Sequence, residues 1–253
     1  MKKLESDIII LKNGEWDNVP LAKVMLVLNT CVDFFKAHIS SENFNTKKVY
    51  VQNHRDIDDP FVHSKLFKLT PENWIYICVE GEKWIDYLHQ FAHEYCHHLI
   101  ESPFENENDK FGWVEEVFCE MARLHVIKHT LETWKNINVF PEFTSEIPLL
   151  EDYLIKKLSK ERAKIDTPLN QWINEHLEDL FLERYFRDKN EFVAINIASL
   201  FFENPTLWNC IPLIKNIEVT DSMELKDFFN EWETLIADEN LNVWLQLKNY
   251  FVI

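Results

Sequence analysis

The chain has only 3 glycines in 253 positions, and glycine is the residue on which many tight turns depend. Glycine adopts the positive φ values of tight turns at little steric cost, so a chain with few glycines has few places for the hairpins of a sheet-rich fold. From Glu82 onward, apolar residues recur every three or four positions, which is the periodicity of amphipathic helices. Together these features predict an α+β protein that is predominantly helical.

The few strands are predicted near the N-terminus. Short runs that are rich in β-branched or aromatic residues occur at 8–11, 48–52 and 74–79. Helices are predicted at 20–37, 84–101, 112–134, 147–164, 168–186, 190–202 and 225–237. We therefore expect a small N-terminal mixed sheet packed on the helix at 84–101, followed by a helical C-terminal lobe. Residues 1–103 would form the first lobe and residues 104–253 the second, within one cooperative unit.

Charge and composition exclude several classes of protein. The formal net charge is −17, whereas nucleic-acid binding depends on clustered Lys and Arg, so we expect no nucleic-acid partner. The five cysteines are odd in number and include no CxxC pair, which indicates reduced thiols rather than a disulfide framework. The sequence shows neither a signal-peptide core nor an apolar run that could span a membrane, so we expect a cytoplasmic protein with no membrane partner.

The segment that carries chemistry is His-Glu-Tyr-Cys-His at 93–97, which matches the pattern His-Glu-x-x-His. On a helix, His93 and His97 are about one turn apart on the same face, so their ring nitrogens can converge on one ion. Glu94 projects about 100° around the helix from His93, where it can act as a general base without binding the ion. The pattern predicts one Zn²⁺ per chain held by both histidines. The alternative is a set of polar side chains on the solvent face of an amphipathic helix.

A third ligand is predicted on the next long helix. Glu116 and Glu120 are four positions apart among apolar neighbours, and a buried carboxylate is costly unless a cation or hydrogen bonds compensate it. Glu116 as a metal ligand, with Glu120 accepting a hydrogen bond from a ligand histidine, would satisfy both charges. Glu115 is the rival ligand, because the sequence does not define the register of the helix. The alternative is a pair of surface glutamates with Arg123 as their salt-bridge partner.

The order of these features resembles the gluzincin group of zinc metallopeptidases, which includes the thermolysin-like enzymes. In that group an edge strand precedes the His-Glu-x-x-His helix, and a following helix supplies a glutamate ligand with an acidic residue four positions later. The strand at 74–80, the motif at 93–97 and the pair Glu116 and Glu120 match this order. The chain departs from the thermolysin-like enzymes in having Glu115 in place of Asn and Glu120 in place of Asp. It also lacks the Gly-x-Met-Glu-Asn motif of the related aminopeptidases.

The resemblance implies a zincin-like fold and a hydrolase that cleaves peptide bonds in a peptide or protein substrate. The strand at 74–80 would offer its free edge to an extended substrate. Tyr153, His176 and Tyr185 are open candidates for stabilising the oxyanion. Two other functions stay open: a catalytically silent zinc-binding protein of the same fold, and a helical interaction or regulatory protein that holds no metal.

Overall fold

A computed structural model gives the fold of the chain. It describes residues 6–12, 14, 16–54, 64–68, 72–101, 110–136, 141–159 and 164–253. About 64% of the structure is helical, and the strands form one small mixed sheet. The predicted α+β class with a helical majority is therefore confirmed.

The predicted strands and helices occur in the predicted order, and further elements lie between and after them. The strands are β1 (Ile9–Leu11), β2 (Val49–Asn53), β3 (Lys65–Lys68) and β4 (Asn73–Ile77). The α-helices are α1 (Leu21–His38), α2 (Trp84–Ile100), α3 (Gly112–Trp134), α4 (Ile147–Lys157), α5 (Leu169–Glu175), α6 (Leu177–Leu182), α7 (Arg187–Glu203), α8 (Leu225–Thr234) and α9 (Asp238–Phe251). Short 3-10 helices occur at Pro141–Glu146, Pro205–Asn209 and Ile211–Asn216. None of the helices in the described ranges is long and apolar enough to cross a membrane.

The sheet has the strand order β1-β2-β4-β3. The strands β1, β2 and β4 are parallel, and β3 pairs antiparallel with β4, so that Phe67 lies opposite Trp74. The strand β4 is therefore internal, and the prediction that the strand at 74–80 has a free edge is wrong. The prediction failed because the neighbouring strand β3, Lys-Leu-Phe-Lys, was not predicted: it is short and has a lysine at each end. It forms because β4 offers it a row of backbone hydrogen-bond partners.

Polar side chains at the two ends of β4 hold α2 across the sheet. The side-chain amide of Gln90 accepts a hydrogen bond from the Cys78 backbone N–H (2.7 Å) and donates one to the Cys78 carbonyl (2.9 Å). At the other end of the strand, the side-chain nitrogen of Asn73 is 2.8 Å from Nδ1 of His98. These contacts make α2 antiparallel to β4 and set its register against the sheet. The motif at 93–97 lies between them.

A second side-chain amide, that of Asn53, binds the backbone just after the end of β4. Asn53 donates a hydrogen bond to the Val79 carbonyl (2.7 Å) and accepts one from the Val79 backbone N–H (2.9 Å). We expect Asn53→Ala to destabilise the protein by about 2 kcal/mol or more, because it leaves two buried backbone groups without this partner. Chemical denaturation would measure the loss. The control is Gln52→Ala on the partly exposed face of the same strand, which should change stability by less than about 0.5 kcal/mol, and an equal loss in both variants would contradict the prediction.

The chain folds into two compact units. The first comprises Met1–Ala37, Asn45–Leu99 and Ala122–Leu154, and the second comprises His38–Phe44, Ile100–Met121 and Ile155–Ile253. The predicted boundary between lobes 1–103 and 104–253 lies outside the described residues.

Aromatic packing in the first unit joins α1 to the motif helix. The ring of Phe35 in α1 lies 5.8 Å from that of Tyr95 in α2, and Phe91 stacks on Tyr95 at 5.2 Å. All three side chains are fully buried, and burial of such an aromatic side chain contributes about 1.5–3 kcal/mol. The motif is thus carried by a helix that the core holds firmly.

In the second unit, the first half of α3 lies among the aromatic rings of three other helices. The ring of Phe118 is 5.9 Å from Phe201 of α7, 5.6 Å from Trp232 of α8 and 6.1 Å from Phe251 of α9. This packing excludes water from the helix. The glutamates on this part of α3 are therefore buried along with their apolar neighbours.

Candidate metal centre

The middle of α2 carries three buried polar side chains. His93, Glu94 and His97 are 8%, 5% and 9% exposed. The alternative that they lie on a solvent face therefore does not hold. Nε2 of His93 is 3.2 Å from Nε2 of His97, so the fold brings the two predicted ligands together.

The separation of these two ring nitrogens fits a shared ion. Zinc–nitrogen bonds are about 2.0–2.1 Å, so two histidine ligands of a tetrahedral ion have nitrogens about 3.3 Å apart. A direct hydrogen bond between the rings has a similar length. The separation of the two ring nitrogens is therefore compatible with a shared metal ion.

Cys119 of α3 adds a third donor to the histidine pair. The ligand atoms of His93, His97 and Cys119 all lie within 4.8 Å of one another, and this cluster could hold a metal ion. From the sequence, Cys119 is expected only to be one of five reduced thiols. The sequence did contain a signal that Cys119 lies near the predicted ligand Glu116. Cys119 follows Glu116 by three positions, and residues three apart on a helix share a face.

The predicted acidic ligands of α3 lie in a buried ion cluster. Nε of Arg184 donates a hydrogen bond to Oε1 of Glu116 (3.0 Å), and Nη2 donates one to Oε2 of Glu115 (3.2 Å). Burial lowers the pKa of Arg184, but the two carboxylates outweigh this effect and raise it, so the guanidinium stays charged. Glu120 is also buried. The roles of Glu116 as third ligand and Glu120 as hydrogen-bond acceptor stay predictions, with Glu115 still the rival.

Six charged side chains are buried among the described residues. Burying an ionised group costs several kcal/mol unless another charge or hydrogen bonds compensate it. Four of the six are glutamates and two are arginines, and each of them has at least one polar, ionic or ring contact. These charged residues are Glu94, Glu115, Glu116, Glu120, Arg123 and Arg184.

The predicted base has a partner from the sheet. Oγ of Ser64 donates a hydrogen bond of 2.8 Å to Oε1 of Glu94. Ser64 directly precedes β3 and lies thirty positions before Glu94 in the chain. Ser64 could not be predicted from the sequence, because no local pattern connects a serine to a motif so far away. The hydrogen bond restricts the rotation of the carboxylate and so orients Glu94.

The three candidates for oxyanion stabilisation lie in different surroundings. The ring of Tyr153 is 6.0 Å from that of His89, and His176 stacks on Trp172 at 4.1 Å. The ring of Tyr185 is 5.5 Å from the guanidinium carbon of Arg184. Because Arg184 also binds Glu116, the Arg184 side chain lies between Tyr185 and Glu116.

Comparison with protein-family models, with curated proteins and with solved structures finds no match to this chain. The function must therefore be inferred from the side chains of the site.

Proposed function

We propose that the protein is a zinc-dependent metallopeptidase with a zincin-like fold, in which Glu94 is the general base. The observation that carries the proposal is the pair of buried ring nitrogens of His93 and His97, 3.2 Å apart on α2, with Glu94 next to His93 in the chain. In a His-Glu-x-x-His helix the two histidines share one face and can bind zinc, and the glutamate acts as the general base.

Zinc is the metal that this set of donors favours. Imidazole nitrogens together with a thiolate or a carboxylate are typical zinc ligands, whereas calcium and magnesium prefer oxygen-rich sites. Glu116 is our preferred third ligand, and Glu115 and Cys119 are the alternatives.

Each side chain of the proposed site would have a separate role in the reaction. Bound zinc would polarise the scissile carbonyl and make water more acidic. Glu94 takes the proton from the attacking water and delivers it to the leaving amine. Ser64 holds one oxygen of Glu94, so that the carboxylate turns its other oxygen toward the reaction. His93 and His97 would hold the metal, and both rings are buried.

An extended peptide would bind along β3 rather than β4. In the described sheet β3 is an edge strand, so its outer edge can accept a further strand by backbone hydrogen bonding. Ser64 directly precedes this strand and contacts Glu94. A substrate paired with β3 would therefore run past the base.

Chelation provides the direct test. We expect the purified protein, supplied with zinc, to hold about one zinc ion per chain by elemental analysis and to cleave members of a random peptide library. Removal of zinc with a chelator should abolish cleavage, and added zinc should restore it, because both the polarised carbonyl and the acidic water depend on the ion. Mass spectrometry of the peptides measures the cleavage. A protein that cleaves equally well without zinc, or that binds none, would refute the proposal.

A catalytically silent zinc-binding protein is the second candidate, and the position of Cys119 favours it. If both Cys119 and Glu116 bind the ion beside the two histidines, four protein ligands close the site and leave no place for water, as in structural zinc sites. Cobalt substitution separates the two cases, because a thiolate ligand gives a strong near-ultraviolet charge-transfer band. That band, lost in Cys119→Ser, together with an absence of cleavage would favour the silent protein.

A further inference from the structure

A row of aromatic rings crosses one face of the sheet and ends on β3. The ring of Trp74 in β4 stacks on that of Tyr50 in β2 at 5.1 Å, and Trp74 lies opposite Phe67 of β3 on its other side. The ring of Phe67 also packs edge-on against Tyr76 at 5.0 Å. Because side chains alternate along a strand and that of Asn73 contacts α2, these rings lie on the face directed away from α2.

The strand β3 combines an edge with two exposed side chains on this aromatic face. In the described sheet, β3 pairs with β4 on one side and with no described strand on the other. Lys65 and Phe67 are two positions apart, so both point to the same face. Nζ of Lys65 lies 5.5 Å from the centre of the Phe67 ring. Both side chains are exposed, Phe67 by 38%, and can therefore contact a partner.

An extended peptide is the partner that fits such an edge. Backbone hydrogen bonds to the edge give a peptide affinity, and its alternate side chains give specificity. Side chains directly opposite each other on paired strands are about 4.5–5.5 Å apart, where opposite charges attract and aromatic rings pack together. The peptide residue opposite Lys65 should therefore be acidic, and the residue opposite Phe67 should be aromatic. These two peptide positions are two residues apart, as Lys65 and Phe67 are.

The charge of β3 disfavours a second copy of the chain as the partner. When two Lys-Leu-Phe-Lys segments pair antiparallel in full register, Lys65 of one copy lies opposite Lys68 of the other. Like charges directly opposite each other are destabilising, and lysines on an edge strand commonly prevent such self-association. An acidic peptide would instead be attracted to Lys65.

We infer that Lys65 and Phe67 are specificity-determining residues, which select extended peptides that carry an acidic and an aromatic side chain two positions apart. This inference rests on the proposed function, in which the substrate pairs with β3. It assigns neither residue a part in the chemical step. The direction of the peptide sets the order of its two side chains. The acidic residue comes first in a peptide parallel to β3, and the aromatic residue comes first in an antiparallel one.

Peptide binding to the full-length Glu94→Gln variant, measured by fluorescence anisotropy, tests the inference without cleavage of the probe. The probes are labelled synthetic peptides that contain Glu-x-Phe or Phe-x-Glu in one fixed background. We expect one of the two orders to bind about 3- to 10-fold more tightly than the same peptide with Lys in place of Glu. It should also bind about 2- to 5-fold more tightly than the peptide with Ala in place of Phe. Equal affinity for all of these peptides would overturn the inference.

Charge reversal on β3 assigns the preference to Lys65. In the same background, Lys65→Glu should bind the Lys peptide more tightly than the Glu peptide, because the attractive pair is then formed with the opposite charges. The matched control is Lys36→Glu, which makes the same change of charge at an exposed position of α1 and should keep the preference for the Glu peptide. Phe67→Ala should lose only the preference for Phe. A Lys65→Glu variant that still prefers the Glu peptide would overturn the inference.

Backbone methylation of the peptide tests whether it pairs as a strand. Alternate N–H groups of a strand point to the same neighbour. A peptide that is N-methylated at one alternate set of residues should therefore lose binding, whereas methylation of the other set should be tolerated. Equal affinity for the two methylated peptides would contradict strand pairing and overturn the inference.

The outcomes also distinguish this inference from the proposed function. A protein that shows the expected preference and its reversal in Lys65→Glu, but cleaves no peptide, would refute the peptidase and support a peptide-binding edge at β3. Zinc-dependent cleavage without any preference for the acidic and aromatic residues would overturn the roles of Lys65 and Phe67 alone.

Discussion

Glu94→Gln should lower peptide cleavage by about 10²–10⁴-fold and leave the zinc content unchanged, because it removes a general base but no metal ligand. The glutamine side chain has nearly the same shape as glutamate, and its remaining oxygen can still accept the hydrogen bond from Ser64. The fold should therefore survive the change. Initial rates on a peptide that the unmodified protein cleaves, with elemental analysis of the same sample, measure both quantities.

The control for this experiment is Glu82→Gln, just before α2. Glu82 is exposed and lies 3.5 Å from Lys23, so its replacement should affect neither cleavage nor zinc content. A Glu94→Gln variant that cleaves at the normal rate would show that another group is the base. A variant that loses its zinc would instead show that Glu94 supports the metal site.

His97→Asn should reduce the zinc content to below about 0.1 ion per chain under conditions in which the unmodified protein holds about one. A three-ligand site that loses one imidazole should lose affinity by on the order of a hundredfold or more, since each ligand carries a large share of the binding free energy. Cleavage should fall with the zinc content. Elemental analysis after dialysis against zinc-containing and then zinc-free buffer measures the result.

The neighbouring histidine is the matched control for His97→Asn. His98 is fully buried, and its Nδ1 lies 2.8 Å from the side-chain nitrogen of Asn73, so it holds α2 to the sheet. We expect His98→Asn to lower the thermal stability and to retain zinc. If His98→Asn loses zinc as completely as His97→Asn does, the assignment of the ligands to one face of α2 is wrong.

Helical periodicity predicted the long helices well because its signal is local. The helices predicted at 84–101 and 112–134 are observed at Trp84–Ile100 and Gly112–Trp134. Both helices are signalled by the spacing of their own apolar residues. The end of the first helix is also signalled by the Ser-Pro pair that directly follows it. The helix predicted at 168–186 is instead divided at His176, whose Nδ1 lies 2.8 Å from the Trp172 carbonyl. The helix α9 was not predicted, because polar residues separate the few apolar side chains that it buries.

Local periodicity is enough to predict the helical majority and to place His93, Glu94 and His97 on one helix, because residues one helical turn apart lie on the same face of any helix. Which distant groups join them depends on how the segments pack. The pairing of β3 with β4, the hydrogen bond from Ser64 and the ion pairs of Arg184 each bring together residues that no periodicity connects. The physical reason is that such contacts form when segments pack and exclude water, so their partners are selected by the whole core rather than by the neighbouring sequence.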